Sequence, residues 1–150
     1  MHIAFGSDHA AAFLKSELMA YAESLGHTCH DCGGRQNEPN DYPIYAARAA
    51  RLVLDGACEL GVVVCGTGVG VSLAANKISG IRCALCGDCY TAKMTRAHND
   101  ANMLAMGSRV IGAELAKMIL TFFLETPFEG GRHQRRVNMI ADLERGHSLE

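Results

Sequence analysis

Val62-Val63-Val64-Cys65-Gly66-Thr67-Gly68-Val69-Gly70-Val71-Ser72-Leu73-Ala74-Ala75-Asn76-Lys77 is the stretch on which the fold turns. It reads as the end of a buried strand (Leu60 to Cys65), a loop of alternating glycines, and a short helix from Val71 to Lys77. Strand, glycine loop and helix in succession form one half of a βαβ unit. Glycines let backbone approach a ligand, and the first free amides of the helix point outward as anion donors. The loop lacks the terminal Gly-Lys-Ser/Thr of a phosphate-binding loop and comes well inside the chain, so nucleotide binding stands as the lesser alternative to a cradle for some other anion.

Working outward, the same alternation recurs. His2 to Gly6 reads as a buried strand, and apolar residues from Ala10 to Leu25 recur at helical spacing until Gly26 stops them. A second strand at His27 to Asp31 leads into a polar, turn-rich segment from Gly33 to Pro43, then a helix over Tyr45 to Leu54. Beyond the glycine loop follow a strand at Ile81 to Cys86, a helix from about Tyr90 to Asn99 and a strand at Asn102 to Met106. Helices from about Gly112 to Leu124 and Arg132 to Arg145 complete the chain. Five short apolar strands alternating with helices predict an α/β fold: a central, mostly parallel five-stranded sheet covered by helices on both faces. Right-handed crossovers gather the loops after the strands along one sheet edge, bringing together Asp8-His9, Gly33 to Pro43, Cys65 to Gly70 and the segment near Cys86.

At 150 residues the chain is read as a single domain, residues 1–150. Its composition, 49% hydrophobic and 20% charged, is globular, and its formal charge of -2 offers no field for nucleic acid or an anionic membrane. No run reaches the roughly 20 apolar residues that span a bilayer, and the N-terminus shows no basic leader. The seven cysteines are odd in number, which argues for reduced thiols in a cytoplasmic setting rather than a disulfide framework. The Cys29-His30-Asp31-Cys32 and Cys83-Ala84-Leu85-Cys86-Gly87-Asp88-Cys89 spacings raise zinc or redox readings. Against zinc, Cys83 and Cys86 on one strand should point to opposite faces.

Cys65 closes an apolar strand and faces the cradle, where a thiol near a helix N-terminus can act as a thiolate. If it abstracts a proton next to a carbonyl, the amides of Gly66, Thr67, Gly68, Val69 and Gly70, with the Thr67 hydroxyl, are candidate donors to the resulting enediolate. The competing reading is one more core cysteine. Asp8 has two readings as well, a helix cap or a substrate contact beside Cys65. His98 ends a helical pattern and titrates near working pH, although a surface histidine explains it equally. Arg132, His133, Arg135 and Arg136 cluster at a helix N-terminus, where positive charge is locally unfavourable, so they await an anion or form a solvated run. His27, His30 and His147 show no such convergence.

Gly6-Ser7-Asp8-His9, Asp41-Tyr42-Pro43, Cys65 to Gly70, Ala74-Ala75-Asn76-Lys77, His98-Asn99-Asp100, Gly107-Ser108-Arg109 and Phe128-Glu129-Gly130-Gly131-Arg132-His133-Gln134-Arg135-Arg136 carry a resemblance that spans residues 1 to 147. In this set and order the chain resembles the ribose/galactose isomerase family. The resemblance implies a three-layer Rossmann-like sandwich, homodimers or dimers of dimers with active sites at the subunit interface, and no metal or cofactor. The implied reaction interconverts ribose 5-phosphate and ribulose 5-phosphate. The alternatives are a six-carbon phosphosugar, allose 6-phosphate or galactose 6-phosphate, and a non-catalytic phosphometabolite-binding domain.

Position by position, the resemblance implies Cys65 as the base between C1 and C2, Thr67 in the anion hole, and His98 as the ring-opening acid/base with Asn99 beside it. Asp8, His9 and Tyr42 would line the substrate. Arg109, Arg132 and Arg136 would grip phosphate, so that the helix at about 132–145 serves phosphate binding or the interface. His98, Asn99 and Arg109 are expected to reach a neighbour's Cys65 pocket. One branch of the family places a glutamate base where this chain has Val71, which cannot take a proton; the chain therefore falls with the branch that depends on Cys65.

Overall fold

The computed structural model describes residues 1–34 and 41–150; part of the turn-rich segment Gly33 to Pro43 thus lies outside the described residues. Among them run strands β1 (His2–Ser7), β2 (Thr28–Asp31), β3 (Leu60–Cys65), β4 (Cys83–Leu85) and β5 (Met103–Gly107). Between and after them come helices α1 (Ala12–Ser24), α2 (Tyr42–Leu54), α3 (Val69–Ala75), α4 (Cys89–Asn99), α5 (Ala113–Glu125) and α6 (Arg132–Glu144). The sheet order is β2-β1-β3-β5-β4 and every observed pair is parallel.

Strand alternation sorts the core into two layers. Ile3, Phe5, Val62, Val64, Leu104 and Met106 face Leu14 and Leu18 of α1, Ala92 of α4 and Ile119, Leu120 and Phe123 of α5. The other face, with Ala4, Val63, Met103 and Ala105, meets Ala46, Ala49 and Ala50 of α2 and Val71 and Ala75 of α3. Alanines predominate in the second layer, so α2 and α3 lie close on the sheet. The expected three-layer α/β sandwich is what forms, with α6 packed outside it against α4.

Element ends differ from expectation where local chemistry intervenes. α2 starts at Tyr42, three residues early, because Pro43 falls in its first turn, where a missing N–H costs nothing. α3 starts at Val69, so Gly70 is already helical; Gly68, at φ +79°, makes the turn into it. β4 is shorter than Ile81 to Cys86. Its approach is fixed by Arg82, whose side chain donates to the carbonyls of Asn99 and Asp100 and whose backbone N–H donates to Asn102 Oδ1 at 2.8 Å. No helix among the described residues is long and apolar enough to cross a membrane.

Candidate active site

β3 is buried along its whole length and delivers Cys65 to the C-terminal edge of the sheet, where the thiol is 5% exposed. Because Gly68 turns back in the left-handed region, its N–H points at the strand end and donates to Cys65 Sγ at 3.2 Å. Val69 N–H donates to Thr67 Oγ1 at 3.3 Å. Accepting there leaves the Thr67 hydroxyl proton free to be donated outward from an exposed position. The loop thus carries a sulfur, backbone donors and a hydroxyl within six residues.

Neighbouring loops close on it. Ser108 and Arg109 donate their N–H groups to the carbonyls of Cys65 and Gly66, both at 2.9 Å. The Arg109 guanidinium lies over Gly66, 3.4 Å from where a Cβ would stand. Asp8 follows β1, donates its N–H to Val64 O and accepts from Ala11 N–H at Oδ1, so the helix-cap reading holds and the carboxylate also sits beside the Cys65 strand. His9 is exposed next to it. The Tyr42 ring covers Gly70 and borders a 430 Å³ cleft between α2 and α3. Beneath this edge Lys15, 3% exposed, pairs with Asp31 and donates to Gly33 O at 2.9 Å, while Ser7 Oγ donates to Gly34 O. These bonds pin the Gly33-Gly34 turn to the end of β1.

The remaining candidates lie elsewhere. α4 runs back from the C-terminal edge, so His98 and Asn99 end at the opposite one, just before β5 begins at Met103. Register pairs Cys65 with Gly107 and Gly61 with Met103, and four residues of strand at about 3.3 Å each hold the two edges roughly 13 Å apart. Glu129 N–H donates to Ala97 O and His133 stacks on His98, so the start of α6, with Arg132 and Arg136 exposed, also belongs to the far edge. One chain therefore does not bring Asp8, Cys65, His98 and Arg132 into a common pocket. A cavity of 530 Å³ tells the same story: it takes in Arg82, Asn99, Ile140 and Leu143 but not Cys65. Arg109 requires a correction, since it sits at its own chain's cradle rather than reaching out to a neighbour's.

Four of the other thiols are inert by position. Burial pushes Cys29 and Cys32 up to about 11, and Cys83 and Cys86 up to about 12, so they stay protonated at neutral pH. Cys83 packs in the α2/α3 layer and Cys86 in the α1/α5 layer, which removes the shared-ion reading of that spacing. Among the described residues the group with metal-ligand spacing is His98, Glu129 and His133, a meeting that sequence reading did not foresee. Glu129 and His133 were visible within the arginine motif, four residues apart; their meeting with His98 depends on α4 packing against α6.

The sequence pattern described as ribose/galactose isomerase matches residues 3–140. The chain belongs to the ribose/galactose isomerase family. It is 49% identical over 142 residues, 95% of each chain, to a protein of Escherichia coli (strain K12) named ribose-5-phosphate isomerase B. It is 40% identical over 145 residues, 96% of this chain and 95% of the other, to the D-erythrulose-4-phosphate isomerase of Pectobacterium atrosepticum. The solved structure of Clostridium thermocellum ribose-5-phosphate isomerase B superposes with a TM-score of 0.96 at 45% identity, covering 99% of this chain and 100% of that one. Val71 is fully buried in the α2/α3 layer.

Proposed function

We propose that the chain interconverts D-ribose 5-phosphate and D-ribulose 5-phosphate through an enediolate, with Cys65 as the base. The observation that carries this reading is the Gly68 N–H donated to Cys65 Sγ at the end of β3, with Arg109 alongside. The thiolate takes the C2 proton and returns it to C1. The charge that develops on the sugar oxygens meets the Thr67 hydroxyl and the amides of Gly66, Thr67 and Gly70, since those of Gly68 and Val69 are bonded within the loop. The family relatives named ribose-5-phosphate isomerase B support the pentose.

The site is completed by a second copy of the chain. One copy offers Cys65, Thr67, Asp8, His9, Tyr42 and Arg109; the other offers His98, Asn99, Arg132 and Arg136 from the start of its α6. His98 opens the furanose ring, and the arginines of both copies hold the phosphate, consistent with the separation of the two groups to opposite sheet edges. The chain works as a single domain, and its seven unpaired cysteines fit the reducing cytoplasm.

The test is exchange of the C2 proton and product formation with ribose 5-phosphate, in metal-free buffer with reductant. Cys65→Ala should lower turnover by at least about 10²-fold while leaving binding largely intact; near-normal turnover would sink the mechanism. The Pectobacterium relative favours a second reading, the same chemistry on a sugar phosphate of different length. Erythrulose 4-phosphate and allose 6-phosphate run alongside decide it: preference for either keeps the mechanism and moves the substrate.

A further inference from the structure

Ala74-Ala75-Asn76-Lys77, a motif with no part in the site as described, closes α3. Asn76 is exposed, yet its amide is bonded to backbone on every side. Nδ2 donates to Ser72 O at 3.0 Å and to Cys83 O at 2.8 Å, and Oδ1 accepts from Cys83 N–H at 2.8 Å. Both amide protons are in use, so the side chain has none to offer a ligand in the 530 Å³ cavity it borders.

Its partner explains the arrangement. β4 is the edge strand next to β5. Arg82 O and Cys86 N–H turn inward to β5, where they bond Met103 N–H and Ala105 O. The N–H and C=O of Cys83, between them, therefore point outward, where no strand follows. Asn76 stands in for that strand, one primary amide meeting both groups of Cys83.

The other end of α3 holds the base. Ser72, whose carbonyl Asn76 engages, donates its N–H to Gly68 O at 3.2 Å, and Gly68 donates its own to Cys65 Sγ at 3.2 Å. α3 has seven residues, too few to be stable alone, and its N-cap Gly68 has no side chain to fasten it. Val71 and Ala75 bury in the α2/α3 layer and set how closely the helix lies on the sheet. Such contacts are non-directional and resist sliding along the helix axis far less than hydrogen bonds of defined length and angle do. Asn76 supplies those bonds at the end far from Cys65, tying α3 to the strand whose Leu85 side chain flanks Gly68.

We propose that Asn76 is a positioning residue for Cys65: its amide fastens α3 to β4 and so fixes where the Gly68 N–H meets the base. The proposal rests on the reading of Cys65 as that base. Asn76 acts through Ser72 and Gly68 rather than by contact with the thiol. A shift of α3 by about 1 Å is enough to lower the rate by about 10²-fold, and it takes from the thiolate a donor that favours the charged form.

The experiment uses three variants of the full-length protein. Asn76→Ala removes the three side-chain bonds. Asn76→Gln keeps an amide on a stem one methylene longer, so β4 stays capped while α3 is set back. Gly56→Ala, between α2 and β3 with nothing within 4 Å of an added Cβ, controls for lost stability alone. In both Asn76 variants kcat with ribose 5-phosphate should fall by about 10- to 10²-fold with KM little changed. Iodoacetamide should also alkylate Cys65 more slowly at neutral pH, read on that cysteine's own peptide by mass spectrometry. The glutamine variant should show both effects with a urea midpoint nearer the wild type than that of Asn76→Ala, and it carries the test alone if the alanine variant does not fold. Gly56→Ala should keep both rates. A near wild-type kcat in Asn76→Gln, or a fall in kcat with Cys65 alkylation unchanged, overturns the proposal. Near-normal turnover by Cys65→Ala overturns the underlying reading of Cys65 instead.

Discussion

Replacing Gly68 with alanine tests the cradle at its tightest point. The residue sits at φ +79°, and an added Cβ would stand 2.5 Å from Leu85 Cδ1, 2.8 Å from the Met106 carbonyl carbon and 3.0 Å from its oxygen. Leu85 is exposed and can swing aside, but Met106 lies in β5, paired with β3, and cannot. The left-handed conformation costs a residue with a Cβ about 1–2 kcal/mol. Overpacking against fixed backbone adds about 1–3 kcal/mol. Gly56 supplies the control, because it has nearly the same φ, +74°, with nothing within 4 Å of its Cβ position. Gly56→Ala should therefore show the conformational cost alone, about 1–2 kcal/mol, and keep wild-type turnover. Urea unfolding of both variants should place Gly68→Ala about 1–3 kcal/mol below the control. Because the Gly68 N–H is bonded to Cys65 Sγ, a loop shift of about 1 Å should also lower kcat by about 10²-fold. Equal stability losses in the two variants, or a kcat for Gly68→Ala within a few-fold of wild type, would refute the reasoning.

Lys15 and Asp31 give an asymmetric pair, 3% and 50% exposed. Asp31→Ala strands a buried ammonium and should destabilise by about 2–4 kcal/mol, more than Lys15→Met, which removes the charge itself; urea melts of both variants check the order. Asp100 stands at φ +45° and accepts from Arg96 at 2.8 Å and from Arg82 at 3.3 Å. Asp100→Ala loses those partners and keeps the strained backbone, whereas Asp100→Gly loses only the partners, so thermal unfolding should find the glycine variant about 1 kcal/mol the more stable.

Much of this architecture was legible because four of the five strands, β2 excepted, are short apolar runs with glycine near their ends. Leu60 to Cys65 is buried at every position, and a sequence of Leu, Gly, three Val and Cys has few other ways to be satisfied than in the centre of a parallel sheet. Boundaries were less legible where a side chain, rather than periodicity, decides them. Pro43 lengthens α2, and Arg82 withholds two residues from β4 by engaging the end of α4. The cradle was readable because its parts are contiguous. The location of His98 was not, since motif order says nothing about which edge a residue occupies; the direction of α4 does. Nor was the Glu129 and His133 contact, whose partner lies more than thirty residues upstream in the chain and meets it only because α6 folds back onto α4. Sequence reading gave weight to the arginines of that motif, and the histidine between them is the residue the fold buries.

The separation of Cys65 and His98 to opposite edges of one sheet has a genetic consequence under the composite-site reading. Lesions in the two halves are not equivalent alleles of one defect. In a mixed pair, one carrying Cys65→Ala and the other His98→Asn, one site holds both lesions and the other holds neither. Two strains each inactive alone would complement when their chains are made together, and no such rescue would follow from two lesions in the same half.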